Sequence, residues 1–323
     1  MIKTFDKHKV IAIVGLEKNT GKTETFNFLL KNLNKRYTLG ITSIGIDGEE
    51  KDQVTFTKKP NIFVEKNIIF ATTEKYFKMK NFSAEILYVS DRRTSTGRII
   101  IARARERGKI ILAGPTTIDW LNEINNKLFN FGAKKILIDG ALSRISSSSI
   151  SDAVVLATGA AVSLDVEKIA SKTIDLIYKI NLPKYKLYNL NNINLEKGIY
   201  LKDLKLLGES TLNFEDFDKL KEVKEIIIIG ALTDSFVKKL IDKNIILDII
   251  VKDFSKIFAK SSTLKLFKKL GGNIFVLNKP NLCLITVNPT SPYGYQINEE
   301  VLIEKISKEI DIPVVNIRKV DSI

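Results

Sequence analysis

The chain has 323 residues, of which 44% are hydrophobic and 27% are charged, a composition typical of a soluble globular protein. This length favours two domains over one. No apolar run approaches the ~20 residues that a bilayer-spanning helix needs, and the apolar stretch near the N-terminus is too short for a signal peptide. We therefore expect a cytoplasmic protein with no membrane segment.

Cysteine and histidine are almost absent from the sequence. Cys283 is the single cysteine, which excludes an internal disulfide and a cysteine-cluster metal site. His8 is the single histidine, which excludes His-based zinc chemistry and Ser-His-Asp catalysis. The net charge of +14 comes mostly from lysines that are spread over helix faces, so we do not favour a nucleic-acid partner.

The first half of the chain alternates strand and helix patterns. A short apolar strand at Lys9–Val14 leads through a glycine loop to an amphipathic helix at Thr23–Leu33, and a second strand follows at Thr38–Ile46. A β-rich segment then carries strands at Asn61–Val64, Asn67–Ala71, Glu85–Val89, Arg98–Arg105 and Lys109–Ala113. Next come a helix at Thr117–Phe131, strands at Lys135–Ile138 and Asp152–Ala157, and a helix at Leu164–Tyr178. This order predicts an α/β fold, with a P-loop NTPase domain on a mostly parallel sheet and an inserted β-hairpin segment.

Periodicity is lost between about Ile180 and Gly198, where Asn, Lys, Tyr and Pro accumulate. Strand and helix patterns resume after it and continue to Pro313–Ile317. We therefore predict a P-loop NTPase domain at residues 1–180, a linker at 181–198 and a second, smaller α/β domain at 199–323.

The segment from Gly15 to Thr23, with the sequence GLEKNTGKT, carries the strongest chemical signal. A loop of this kind wraps backbone N–H groups around a phosphate at the positive end of the following helix. Lys22 should reach the β- and γ-phosphates, and the Thr23 hydroxyl should bind Mg²⁺. The alternative is a lysine-capped turn before a helix. The residues expected to contact the nucleotide are Gly15, Asn19, Thr20, Gly21, Lys22, Thr23, Glu24 and Gly140.

Two acidic residues follow other strands. Asp139 ends the buried run Ile136–Ile138 and would bind Mg²⁺, while Gly140 leaves room for a γ-phosphate. Asp47 follows the second strand and is a candidate for positioning the metal or the attacking water, with Glu49 as a weaker one. Simple turns after strands are the alternative at both places. Lys22, Asp47 and Asp139 are the candidate catalytic residues, and Thr23, Asp47 and Asp139 are the candidate metal ligands.

Six of the nine arginines lie between Arg92 and Arg107. Arg103, Arg105 and Arg107 alternate, so on a strand they would share one face and could bind a carboxylate, a phosphate or an acidic partner. A solvated edge strand protected by charge is the favoured alternative. Arg144 is a separate candidate for contact with phosphate or a partner. The loop Asn288–Tyr295, which has two prolines and follows a strand, could contact a ligand or partner, but we prefer the simpler interpretation of a rigid turn.

Five residues separate Gly15 from Gly21, where the commonest phosphate loop has four. This spacing resembles that of dethiobiotin synthetase and the amidating cobyrinate synthases, in a class that also contains metallochaperone and partitioning ATPases. Many members of that class carry an additional lysine early in the loop that reaches across a dimer. Glu17 stands at that position here, with Lys18 one place later, so the sequence does not favour hydrolysis that depends on a dimer. A homodimer itself is left open.

Several phrases, read in order, resemble the P-loop subunit of lysine 5,6-aminomutase reactivase from clostridial-type lysine fermentation. The phrases are Gly15–Thr23, Thr42–Glu49, Leu112–Pro115, Ile138–Arg144, Ser151–Ala160 and Asn288–Tyr295. The resemblance implies a chaperone that couples binding and hydrolysis of Mg²⁺–ATP or Mg²⁺–GTP to release of damaged cofactor. Its implied partners are an adenosylcobalamin-dependent aminomutase and a second reactivase subunit. An ATP-dependent carboxylate ligase resembling dethiobiotin synthetase and a nucleotide-gated binding module are the alternatives.

Overall fold

The computed structural model describes residues 2–45, 62–141, 151–186 and 195–320. The strands in these ranges are β1 (Val10–Gly15), β2 (Leu39–Ser43), β3 (Ile62–Val64), β4 (Ile69–Thr73), β5 (Ala84–Thr94), β6 (Gly97–Ala104), β7 (Gly108–Ile110), β8 (Lys135–Ala141), β9 (Ala153–Gly159), β10 (Gly198–Leu201), β11 (Leu206–Gly208), β12 (Glu225–Ile229), β13 (Asp248–Asp253), β14 (Asn273–Asn278), β15 (Leu282–Asn288) and β16 (Val314–Val315). The α-helices are α1 (Lys22–Leu33), α2 (Glu74–Lys78), α3 (Ile118–Asn130), α4 (Val166–Ile180), α5 (Asp234–Asp242), α6 (Ser261–Lys269) and α7 (Glu299–Ser307). None of these helices has the length and apolar character needed to cross a bilayer.

Nine strands form one large mixed sheet in the order β16-β15-β9-β1-β8-β2-β4-β6-β5. The seven strands from β16 to β4 are mutually parallel. The last two, β6 and β5, form an antiparallel hairpin beside β4. The chain is therefore an α/β protein with a large, mostly parallel sheet, as the alternation of strand and helix patterns predicts, and the β-rich segment supplies the inserted hairpin.

Helices cover both faces of this sheet, which explains why its central strands are continuous apolar runs. On one face, α1 buries Phe26 and Leu29 in the same core as Ile13 of β1. On the other face lies α3, where a Cβ added at Gly40 of β2 would stand 3.4 Å from the Cβ of Leu128. The sheet that contains the strand preceding the glycine loop thus has a helix packed on each face.

The chain divides into two compact units that do not coincide with the predicted domains 1–180 and 199–323 or the predicted linker 181–198. One unit comprises residues 1–171 and 281–323, and the other comprises residues 172–280. β15 belongs to the large sheet because it pairs in parallel with β9, from Leu282 opposite Val154 to Asn288 opposite Gly159. The strand and helix patterns continue without interruption beyond residue 199, and periodicity alone does not reveal which sheet a strand joins.

The second unit contains a five-stranded sheet in the order β11-β10-β12-β13-β14. β12, β13 and β14 are parallel, whereas β10 pairs antiparallel with β12 and with β11. Phe214, Phe217 and Phe236 pack in its core with ring centroids 5.2–5.7 Å apart. A smaller α/β unit exists as predicted, although its boundaries differ.

Buried polar groups gather at the amino end of the large sheet. The Lys135 ammonium is buried and donates to the backbone oxygens of Phe5, Asp6 and His8 at 2.8, 2.8 and 2.5 Å. Burial lowers the pKa of Lys135, while the nearby carboxylates of Asp6 and Asp152 act in the opposite direction. Three carbonyl acceptors match the three N–H donors of the ammonium, so Lys135 ties the N-terminal segment to β8.

The buried His8 ring makes stability depend on pH near neutrality. Its Nε2 lies 3.5 Å from the Cys283 sulfur, and its Nδ1 lies 3.9 Å from an Asp152 oxygen. Burial lowers the pKa of His8 more than Asp152 raises it, and Lys7 and Lys135 lower it further. The unfolded chain therefore takes up the proton first, below a pKa of about 6.5. As the pH falls below that value, stability should fall by up to about 1.4 kcal/mol per pH unit until the folded ring also protonates.

Urea unfolding at intervals between pH 7.5 and 5 measures this effect. Because His8 is the only histidine in the chain, His8→Gln should remove most of the slope in this interval. A wild-type unfolding free energy that is constant over the interval would contradict the inferred direction of the His8 pKa shift.

Candidate functional site

The carboxyl ends of the central parallel strands meet at one edge of the large sheet. The register places Ser43 of β2 beside Asp139 of β8, and Asn288 of β15 beside Gly159 of β9. Gly15, the last residue of β1, lies between β8 and β9. Ligands of open α/β sheets bind at this edge, so the strand order brings together residues that lie far apart in sequence.

The loop between β1 and α1 is compact, and its glycines are required by close backbone packing. A Cβ added at Gly15 would lie 2.7 Å from the Thr20 hydroxyl oxygen and 2.9 Å from the Glu17 carbonyl oxygen. Gly21 has a φ of 89° and Asn19 a φ of 61°, both in the left-handed region. The Thr20 hydroxyl donates to the Glu17 carbonyl at 2.9 Å and closes the loop.

Lys22, the first residue of α1, extends over the end of β8. Its ammonium lies 3.1 Å from an Asp139 carboxylate oxygen and 3.4 Å from the Gly140 carbonyl oxygen. The two charged side chains are about one-fifth and one-sixth exposed (21% and 16%), so solvent screens the pair only in part. A cation and a carboxylate that the sequence separates by more than a hundred residues are therefore neighbours at the amino end of a helix.

β15 supports the loop from the other side, a contact that sequence reasoning missed. A Cβ added at Gly21 would lie 2.9 Å from the Cβ of Asn288, and the Asn288 amide donates to the Asn19 carbonyl at 3.5 Å. Closer to the core, the hydroxyl of Thr25 in α1 lies 2.8 Å from the hydroxyl of Thr286 in β15. A polar residue at the end of a buried strand is the signal that could have revealed Asn288.

The turn after β15 is closed by hydrogen bonds of its own. The Ser291 N–H donates to the Tyr295 carbonyl at 2.9 Å, and the Gly294 N–H donates to the Ser291 carbonyl at 3.1 Å. The Tyr295 hydroxyl donates to the Ala160 carbonyl at 2.8 Å. The turn is thus held against the end of β9, beside the glycine loop.

Ser43 was also missed, although it belongs to the same edge. Its side chain is fully buried, and its hydroxyl has no hydrogen-bond partner among the described residues. The backbone of Gly114 packs closely against the backbone of Ser43, since a Cβ at Gly114 would lie 1.6 Å from the Ser43 carbonyl oxygen. A buried hydroxyl without a partner costs about 1–3 kcal/mol, so this position calls for an explanation.

The remaining predicted site residues occupy different surroundings. Thr23 lies half-buried in the first turn of α1, beside Lys22. Glu24 is exposed and forms an ion pair with Arg318, so its side chain serves another contact. Asp47, Glu49 and Arg144 lie outside the described residues.

The arginine cluster does not form the shared face that alternation predicts. β6 ends at Ala104, so Arg105 and Arg107 lie beyond the strand, and β6 is flanked by β4 and β5 and is not an edge strand. Arg105 pairs with Glu85 at 2.6 Å, and Arg107 pairs with Glu65 at 3.3 Å. Arg103 donates to the Phe131 carbonyl at 2.9 Å. Each guanidinium is engaged separately, so the three do not converge on one anion.

In the described ranges, no three His, Cys, Asp or Glu side chains converge as a metal-binding group. Comparison of the chain with protein families, with curated proteins and with solved structures finds no match. The class that the structure defines is therefore an α/β protein with a glycine loop, a lysine and an aspartate at the carboxyl edge of a mostly parallel sheet.

Proposed function

We propose that the chain is a P-loop protein that binds a nucleoside triphosphate and Mg²⁺ on the loop from Gly15 to Thr23. The observation that carries this proposal is the Lys22 ammonium, 3.1 Å from Asp139 at the amino end of α1. A phosphate at this place would meet a lysine, the backbone N–H groups of the loop and the positive end of a helix. A merely structural turn has no need of a partly buried ion pair beside it.

The residues present suit both the phosphates and the metal ion. Gly15 and Gly21 stand where side chains would collide with the loop or with Asn288, so glycine at both places allows the loop its compact form. The Thr23 hydroxyl and the Asp139 carboxylate are oxygen ligands of the kind that Mg²⁺ prefers. Bound there, Mg²⁺ would neutralise part of the phosphate charge. Asp47 belongs to the same proposal from its sequence position alone.

Lys22 would hold the β- and γ-phosphates and Asp139 would orient the metal ion. His8 and Cys283 lie at the amino end of the sheet, away from this edge, and take no part. Hydrolysis at such a site relies on positioning and charge stabilisation and requires no protein nucleophile. Either ATP or GTP fits this description.

The sequence resemblance to the reactivase subunit adds the finer proposal of a reactivating chaperone for an adenosylcobalamin-dependent lysine aminomutase. A nucleotide can drive release of damaged cofactor only if it binds two conformations of the chaperone with different affinity. A chaperone of this kind should hydrolyse its nucleotide slowly alone, because turnover without a partner is wasted.

Hydrolysis of ATP and of GTP by the purified chain, alone and with inactivated aminomutase, tests this finer proposal. We expect a low basal rate that rises at least several-fold with the aminomutase, or with the aminomutase and a second reactivase subunit together. The control is Lys22→Ala, which should show no stimulation.

A carboxylate ligase would behave differently in the same assay. The chain alone would then consume ATP rapidly with a small carboxylic acid and release a new product. Rapid conversion of such an acid, with no response to an aminomutase, would overturn the chaperone proposal. The proposal of a nucleotide site would still stand. Nucleotide-dependent binding without turnover would indicate a binding module.

A further inference from the structure

The Ser43 hydroxyl is a polar group at the carboxyl edge that the proposed nucleotide site has not yet used. It is fully buried at the end of β2 and has no hydrogen-bond partner among the described residues. An alanine at this position would fill the same space without burying an unsatisfied hydroxyl. A serine at this position is explained if its hydroxyl gains a hydrogen-bond partner when nucleotide and Mg²⁺ are bound.

Asp139 is the residue that the sheet register places beside Ser43. Ser43 and Asp139 are directly paired in the parallel strands β2 and β8. The axes of neighbouring strands in a sheet are about 4.8 Å apart. Residues paired in this way project from the same face of the sheet, because side chains alternate along each strand. It is the face on which α1 packs, and Lys22 at the start of α1 contacts Asp139 there.

Lys22 has two roles that compete. It lies 3.1 Å from the Asp139 oxygen, and in the proposed function it also donates to phosphate. When the Lys22 amine turns toward phosphate, the Asp139 carboxylate loses a charge-assisted contact. The Asp139 side chain is only 16% exposed, so water replaces this contact only in part. A donor on the same face of the sheet would help to hold the Asp139 carboxylate in one orientation.

We infer that Ser43 is a positioning residue for Asp139, whose hydroxyl donates to the carboxylate and holds it in the metal-binding orientation. This inference rests on the proposed function. Ser43 acts through Asp139 and has no contact with the nucleotide, so it affects the metal dependence of binding more than the contact with phosphate.

Thr42 provides a matched control. It is also fully buried, but alternation places it on the opposite face of β2, and its hydroxyl donates to the Ser43 carbonyl at 3.5 Å. Thr42→Val removes a buried hydroxyl next to Ser43 without removing a donor from the Asp139 face. Asp139→Asn serves as the reference for loss of the metal ligand itself.

The experiment measures the Mg²⁺ concentration that gives half-maximal binding of mant-labelled ATP and GTP, together with the urea midpoint of each variant. Ser43→Ala should raise that Mg²⁺ concentration about tenfold with a urea midpoint equal to or above that of the wild type. Thr42→Val should stay within about twofold of the wild type, and Asp139→Asn should shift at least as far as Ser43→Ala. Ser43→Cys, which has a weaker donor, takes the place of Ser43→Ala if that variant does not fold.

Two results would overturn the inference, and they are distinguishable. A wild-type chain that binds neither nucleotide at any Mg²⁺ concentration removes the proposed function and the role of Ser43 with it. Mg²⁺-dependent binding by the wild type, with an unchanged Mg²⁺ requirement in Ser43→Ala, leaves the nucleotide site standing and removes only the role of Ser43.

Discussion

Replacing Lys22 with alanine is expected to lower the affinity for Mg²⁺–nucleotide by at least about thirtyfold. Loss of one partner of a desolvated charge pair costs about 2–5 kcal/mol, and each 1.4 kcal/mol is about a factor of ten. The Lys22 side chain lies outside the apolar core that α1 shares with β1, so the fold should persist. Loss of its contact with Asp139 should lower the unfolding free energy by about 1–2 kcal/mol. Isothermal titration calorimetry measures the affinity.

Lys18 provides the control for this variant. It belongs to the same loop but is exposed, so Lys18→Ala removes the same charge without removing a side chain from the edge of β8. We expect its affinity to stay within about threefold of the wild type, because exposed charges contribute little. A Lys22→Ala variant that binds nucleotide as well as Lys18→Ala would contradict the phosphate-binding role of Lys22.

Replacing Gly114 with alanine should destabilise the large unit by roughly 3 kcal/mol or more. A Cβ at this position would lie 1.6 Å from the Ser43 carbonyl oxygen and 2.5 Å from the Ser43 carbonyl carbon. Both are backbone atoms of a fully buried strand, so the clash cannot be relieved by turning a side chain. The Gly114 segment would have to leave β2 and lose two hydrogen bonds, from Gly114 N–H to the Gly45 carbonyl and from Gly45 N–H to the Pro115 carbonyl.

Gly132→Ala is the control that measures the cost of replacing a glycine where the added Cβ meets no clash. The Gly132 φ of 100° lies in the left-handed region, but a Cβ there would meet no atom within 4 Å. Gly132→Ala should therefore cost only about 1 kcal/mol, from backbone strain. Urea unfolding of both variants gives the comparison. If Gly114→Ala is no less stable than Gly132→Ala, the segment Leu112–Pro115 does not pack against the end of β2.

The sequence predicted the β1–loop–α1 unit well because the signals that specify it are local. An apolar run, two glycines and a helical spacing of apolar residues lie within 25 residues, and no bound of β1 or α1 differs from the prediction by more than one residue. The partner strands were harder to predict. β15 carries the same apolar pattern as the strands of the second unit, and only its pairing with β9 shows that it belongs to the large sheet.

The candidate site was predictable only where a residue type points to its own chemistry. Lys22 and Asp139 were found because a lysine after a glycine loop and an aspartate after a buried strand suit phosphate and Mg²⁺. Ser43 and Asn288 are chemically ordinary, and their place at the edge follows from strand order, which the sequence pattern does not contain. The arginines illustrate the opposite error, since alternation defines a face only within a strand, and β6 ends before Arg105.

The most direct test of the central proposal is an equilibrium fluorescence titration of the wild-type chain with mant-labelled ATP and GTP, in Mg²⁺ and in EDTA. We expect saturable one-to-one binding of at least one nucleotide in Mg²⁺, displaced by the unlabelled triphosphate and weakened when the metal is removed. The loop from Gly15 to Thr23 would then act as a phosphate site, with Lys22 and Asp139 at its centre. No saturable binding of either nucleotide at millimolar concentration in Mg²⁺ would contradict the proposal.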